Sequence, residues 1–181
     1  KPMKRVILTI GPQGAGKSTF CKQIVNECPK IDLVSRDEIL IELFGTVWLS
    51  PYGDGHHRAH EIMWKKIKDL LKFDDSTIIL DTWNGYPKER SDICKILRDF
   101  GVDRIEGWYF ITPQQICVKW YLERENPNEE WRRESCIRTC RSNYSFYHSH
   151  EVSKNQGFNT LRIINPLQTT LFPYSYLLNL I

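Results

Sequence analysis

Apolar positions along this chain keep two rhythms in alternation. Residues 6–10 (VILTI) form a short run rich in β-branched side chains, bounded by Gly11-Pro12, which predicts a buried strand. Residues 17–28 follow with helical spacing up to Pro29, and residues 31–34 form a second short strand. Over residues 36–44, Ile39, Leu40, Leu43 and Phe44 recur at helical intervals before Gly45. Residues 46–56 contain Pro51, Gly53 and Gly55 and read as a loop. Residues 57–72 carry one apolar stripe through Ile62, Met63, Ile67, Leu70 and Leu71, and residues 77–80 (TIIL) are a third strand ending in Asp81. A helix over 88–100 is opened by Pro87 and stopped by Gly101. Residues 104–111 are a fourth strand. Pro113 opens a helix to about residue 125, Asn126-Pro127-Asn128 breaks it, and a second helical stretch covers roughly 130–147. Residues 161–164 make a fifth strand before Asn165-Pro166.

Short apolar strands separated by helices imply βαβ units and a parallel sheet covered on both faces. The fold expected is α/β, Rossmann-like, with five parallel strands flanked by helices. One domain spans 3–166, with a helical lid at about 124–140. Residues 167–181 form an apolar tail, packed back on the domain or docked on a partner.

Composition adds boundaries. The 181 residues are 41% hydrophobic and 26% charged, which suits a globular domain with a real core and excludes a disordered or fibrous chain. Apolar runs fall short of a membrane span. Lys1 and Pro2 precede Met3 and read as additions ahead of it, with no apolar signal segment following. The formal charge of +3 is compatible with a polyanion held in one local groove. Six cysteines form no CxxC pair. Cys136 and Cys140, four apart with His148 and His150 beyond, lack zinc spacing and read as free thiols. A reducing cytoplasm is the expected location.

The strongest local signal is Gly11-Pro12-Gln13-Gly14-Ala15-Gly16-Lys17-Ser18, a complete GxxxxGK[ST] between a predicted strand and a predicted helix. Glycines let such a loop bring backbone N–H groups against phosphate oxygens, and the helix N-terminus adds partial positive charge. Lys17 can reach β- and γ-phosphates, and Ser18 can place a hydroxyl on Mg²⁺. The fold is therefore expected to be that of a P-loop NTPase, with ATP and Mg²⁺ as its cofactors. The small size and the helices after strand four point to a phosphotransferase with a lid.

The second strand runs into Leu33-Val34-Ser35-Arg36-Asp37. Ligands of open parallel sheets bind beyond the carboxyl ends of the strands, so Asp37 is a candidate base for an acceptor hydroxyl. A first-turn helical acid is the competing reading, since Asp37 and Glu38 open a helix. Asp81, at the tip of the third strand, reads as a carboxylate behind magnesium or as an acceptor for the substrate hydroxyl; a capping or turn role is the competing reading.

Residues 3–144 resemble the kinase domain of polynucleotide 5′-hydroxyl kinases of phage and bacterial end-repair systems. The resemblance rests on ILTIGPQGAGKSTF, LVSRDEI and IILDTWNGYPKER in that order, and most specifically on Asp81-x-x-Asn84-x-x-Pro87-x-x-Arg90. It implies transfer of the γ-phosphate to a hydroxyl of DNA or RNA, a 5′-OH end above all. It also implies Asp37 as general base, Asp81 at the acceptor and lid arginines on the donor phosphates. The catalytic set is then Asp37, Lys17 and Arg124. The donor set is Gly11, Gln13, Gly14, Ala15, Gly16, Lys17, Ser18 and Thr19 with Arg124 and Arg132; Arg133 is an alternative to Arg132. The acceptor set is Arg36, Asp37, Asp81, Trp83 and Asn84, with Trp83 as stacking platform; a core-edge aromatic is the competing reading for Trp83. Leu40 stands where phage members commonly carry an arginine, a place Arg36 or Arg58 can fill. That departure keeps other acceptors open: a hydroxymethylated base within phage DNA, a nucleoside or another small molecule. A module that binds ATP without transfer is the remaining alternative. Basic and aromatic residues over 52–68 read as a phosphate-and-base surface or, more simply, as a solvated amphipathic face.

Overall fold

The computed structural model describes residues 1–50 and 52–168. The elements alternate as β1 (Lys4–Ile10), α1 (Lys17–Glu27), β2 (Ile31–Ser35), α2 (Arg36–Phe44), α3 (Gly55–Leu70), β3 (Ser76–Asp81), α4 (Pro87–Asp99), β4 (Arg104–Phe110), α5 (Gln114–Glu125), α6 (Glu130–Ser149) and β5 (Thr160–Ile164). The expected α/β architecture is present, with boundaries within two residues of the periodicity. Strand pairing lengthens β1 back to Lys4, opposite Ser76. The third helix starts at Gly55, two residues inside the segment read as loop. A short 3-10 turn over Lys154–Gln156, which the apolar pattern does not signal, precedes β5.

All four strand pairings are parallel, in the order β2-β3-β1-β4-β5. The chain leaves β1 toward one side and later crosses to the other. The tip of β1 is therefore the switch point, where loops diverge and a crevice opens. Successive side chains of a strand point to opposite faces, which divides the core in two. Val6, Leu8 and Ile10 join Ile78 and Leu80 under Met63 and Ile67 of α3 and Leu97 of α4. Ile7 and Ile79 join Trp108 and Phe110 under Phe20 and Ile24 of α1 and Tyr121 of α5. Both faces of the central strands are buried, as their near-continuous apolar runs require. The expected tail at 167–181 begins with a turn at 167–168; residues 169–181 lie outside the described residues. No helix among the described residues is long and apolar enough to cross a membrane.

Candidate active site

The loop leaving β1 lines a cleft of about 860 Å³ at the carboxyl edge of the sheet. Helix α1 starts from Gly16 in the left-handed region, at φ +87°, and no side chain caps it. Its first-turn amides therefore face the cleft without an intrahelical partner, an arrangement that suits phosphate oxygens. Gly14, at φ +76°, is required twice over: a Cβ there would stand 2.2 Å from the Cys117 carbonyl oxygen. Thr112 holds the loop from below, its hydroxyl donating to the Ala15 carbonyl at 2.7 Å.

Gln13 is the loop's junction with the helices after β4. Its backbone N–H donates to Asn143 Oδ1 at 2.7 Å, and its side-chain oxygen accepts from Arg124 Nη2 at 3.1 Å. Arg124 also pairs with Glu125 and lies over the Tyr121 ring, so its guanidinium is held at the cleft wall. The Lys17 ammonium donates to the Gly11 carbonyl. Burial pulls its pKa below the ordinary lysine value, opposed mainly by the carboxylates of Asp81 and Asp37.

Asp81 joins the first and third strands. It accepts from Thr9 Oγ1 at 2.8 Å and from Ser18 Oγ at 3.3 Å. A serine hydroxyl fixed beside a carboxylate offers the hard oxygen ligands that Mg²⁺ favours, with phosphate oxygens and waters left to complete an octahedron. Among the described residues no group of three or more His, Cys, Asp or Glu side chains is placed to hold a metal ion, so a divalent ion would depend on the nucleotide for the rest of its shell.

Asp37 stands in the first turn of α2, but Ser35 takes the capping role, accepting from the Glu38 N–H at 3.3 Å. The Asp37 carboxylate makes no hydrogen bond or ion pair among the described residues and lines the cleft. Burial raises its pKa above the ordinary carboxylate value, and Asp81 adds to the rise; Arg36, Arg124 and Lys17 oppose it. A free carboxylate of raised basicity on the lysine side of a phosphate loop can accept a proton from an incoming hydroxyl.

Of the expected site residues, Gly11, Gln13, Gly14, Ala15, Gly16, Lys17, Ser18, Thr19, Arg36, Asp37, Asp81, Trp83 and Arg124 all line this cleft. Two do not. Asn84 is fully buried and donates through Nδ2 to the carbonyls of Thr9 at 2.7 Å and Thr82 at 3.0 Å. It is a strut between two strand tips, out of an acceptor's reach. Arg132 is exposed and lies over the Trp131 ring at 5.2 Å, away from the cleft wall. Arg133 does not line it either, and Arg58 is an exposed residue of α3. Leu40 is a core side chain, 1% exposed. Arg36, whose Nη2 meets His56 Nδ1 at 3.1 Å, is the arginine beside Asp37.

Within 52–68, Lys65 pairs with Asp69, Lys66 with Glu42 and His57 with Glu61 on exposed faces. Cys136 and Cys140 are free thiols. Trp120 and Asn143 line the cleft unannounced by any sequence pattern.

Comparison with solved structures agrees with this geometry. A chain of the Pnkp1/Rnl/Hen1 complex, an RNA repair complex, superposes in two structures with TM-scores of 0.57 and 0.65, at 23% and 19% identity, over 66% and 83% of this chain. This chain spans only 39% and 47% of those chains' own length. A fungal RNA kinase superposes with a TM-score of 0.60 at 15% identity, covering 91% of this chain and 75% of that one. Shikimate kinase from Acinetobacter baumannii, in complex with shikimate, does so with a TM-score of 0.54 at 14% identity over 90% and 84%. The shared feature is the P-loop kinase fold. No curated protein sequence matches the chain. The family described as AAA domain matches residues 6–145, and with most of its length and its whole phosphate loop inside that match, the chain belongs to this family of P-loop proteins.

Proposed function

We propose that this protein transfers the γ-phosphate of ATP to a 5′-hydroxyl end of a nucleic acid. The observation that carries the reading is Asp37, a carboxylate without a hydrogen-bond or ion-pair partner among the described residues, in the same cleft as Lys17 and the amides of the phosphate loop. Residues 11–19 bind the triphosphate. Mg²⁺, which Ser18 and Asp81 are suited to hold, supplies charge neutralisation on the phosphate oxygens. The acceptor oxygen bonds to the γ-phosphorus as the bond to the β–γ bridging oxygen breaks. The hydroxyl proton passes to Asp37, and the electron pair leaves with ADP. Lys17 and Arg124 offset charge on the transferring group. Positioning and electrostatics account for most of the rate in such a reaction.

A nucleic-acid acceptor is supported by Trp83, 42% exposed at the cleft wall, and by the likeness to chains from RNA repair and RNA kinase structures. A small alcohol is the second reading. It is favoured by the likeness to a shikimate kinase and by the apolar Leu40 in place of an acceptor-side arginine.

The test is a panel with γ-labelled ATP and Mg²⁺: a 5′-OH oligonucleotide, DNA bearing hydroxymethylated bases, and nucleosides with simple alcohols. Label at the oligonucleotide 5′ end is the expected result. Label in an internal base or a small molecule moves the activity to that acceptor, and label in free phosphate alone overturns transfer altogether.

A further inference from the structure

Beyond the cleft, Trp83 continues into a set of rings. It packs on Phe146 at 5.7 Å between centroids, and Phe146 meets Tyr86 at 4.6 Å and His150 at 4.5 Å. Trp83 and Tyr86 are 42% and 48% exposed, large for aromatic side chains in mutual contact. The shelf is fixed in place. Gly85 lies beneath it so closely that a Cβ would stand 2.4 Å from Trp83 Cζ2 and 2.7 Å from Phe146 Cε1.

Phe146 belongs to α6, and the helix carries the surface onward. One turn back is Ser142, and another turn back is Arg138, roughly 12 Å from Phe146 along the axis. A groove of about 590 Å³ is lined by Arg138, Arg141, Ser142 and Ser145 together with Glu134 and Ile137. Between Glu134 and Glu151 the chain has two arginines and no carboxylate. Neither Arg138 nor Arg141 makes an ion pair or hydrogen bond among the described residues, in contrast to the paired lysines of α3. Aromatic faces in series with unpaired cations and hydroxyls are the two components of a single-strand binding track: bases stack and phosphates are neutralised.

We infer that the exposed face of α6 is a second binding surface, on which a single-stranded nucleic acid runs from the Trp83–Phe146 shelf to Arg138 and Arg141. This rests on the proposed acceptor class but reaches beyond the reacting end. It makes the enzyme selective for strands several nucleotides long over mononucleotides.

The experiment uses the full chain and the variant Arg138→Gln/Arg141→Gln. Binding of a fluorescent 12-nucleotide 5′-OH oligonucleotide is followed by anisotropy across a salt series, without ATP. Transfer to that strand and to a dinucleotide is then measured. The slope of log affinity against log salt is expected to fall by about 1.4, at ~0.7 per phosphate contact on a single strand. KM for the 12-mer rises several-fold, while dinucleotide transfer is unchanged, which also shows that the variant folds. An unchanged slope, absent binding by the parent protein, or an equal loss with the dinucleotide overturns the track. Salt-sensitive binding by the parent without any transfer retains the track and overturns the kinase reading instead.

Discussion

Ser18 Oγ stands 3.3 Å from Asp81 Oδ2, which joins the phosphate loop of β1 to the tip of the neighbouring β3. Thr9 fixes the other carboxylate oxygen at 2.8 Å. Two adjacent strands thus deliver one hydroxyl–carboxylate pair to the point where a nucleotide-bound cation would sit. Asp81→Asn keeps the shape and the Thr9 contact but removes the charge. The magnesium concentration for half-maximal activity should rise by roughly 10- to 100-fold, the usual range for losing an outer partner of a metal site. A magnesium titration at fixed ATP checks this.

Lys17 shares its surroundings with two carboxylates and is partly desolvated. Lys17→Ala removes the one cation seated within the loop itself. Transfer should fall by at least ~10²-fold, as for removal of a group that stabilises developing charge. Single-turnover rates at saturating ATP separate that loss from weakened binding.

Asp37 sets a pH dependence. Its pKa is raised in the folded state, by burial first and then by Asp81. The base must be ionised to accept a proton, so kcat/KM should rise with pH through a midpoint above the ordinary carboxylate value of 3.8. Linkage has the opposite consequence for stability. A carboxyl whose folded pKa is raised is penalised once it ionises; the penalty is absent below the unfolded pKa and complete above the folded one. Asp37→Asn should therefore raise Tm at pH 7 while it abolishes turnover. Parallel melting curves at pH 4 and pH 7 test the sign, with the gain larger at pH 7.

Arg90 is fully buried and forms no ion pair among the described residues. Its guanidinium donates to the carbonyls of Asn84 at 2.7 Å and Glu151 at 2.8 Å, and to Gln156 Oε1 at 2.7 Å. It binds the turn after β3 to the segment after α6. Arg90→Ala strands these acceptors and opens a cavity, at a cost of roughly 3 kcal/mol or more. Urea unfolding of the variant provides the measurement.

These residues also explain which parts of the site were legible in advance. The GxxxxGK[ST] spacing sets backbone shape, so Gly11 to Ser18 could be assigned from letters alone. Asp37 and Asp81 followed from their position at strand tips, a consequence of parallel topology. For Asn84 the letters leave the choice open, because an amide offers the same donors to a substrate or to a neighbouring carbonyl, and only the fold shows that the Thr9 and Thr82 carbonyls take them. The Asn84-x-x-Pro87-x-x-Arg90 pattern is accordingly scaffold: Asn84 is a strut, Pro87 opens α4 and Arg90 is the buried tie. Arg132 stands near a break in the chain, but nearness says nothing about the direction of a long, exposed side chain. Asn143 meets Gln13 across 130 residues, a separation at which periodicity carries no information.

Gly85 offers a test of the acceptor side. Gly85→Ala inserts a methyl group 2.4 Å from Trp83 Cζ2 and must displace the ring. KM for an oligonucleotide acceptor should rise several-fold while KM for ATP stays within about twofold. Steady-state kinetics with each substrate varied in turn distinguishes this from general loosening, which moves both.

In the proposed reaction the Asp37 carboxylate readies the acceptor while the loop grips the donor. This is tested most directly by single-turnover transfer from γ-labelled ATP to a 5′-OH oligonucleotide, with the parent protein and Asp37→Asn at matched ATP occupancy. Label at the 5′ end is expected with the parent, and a loss of at least ~10²-fold in rate with the variant at near-equal ATP affinity. Transfer by Asp37→Asn at close to the parent rate would contradict it.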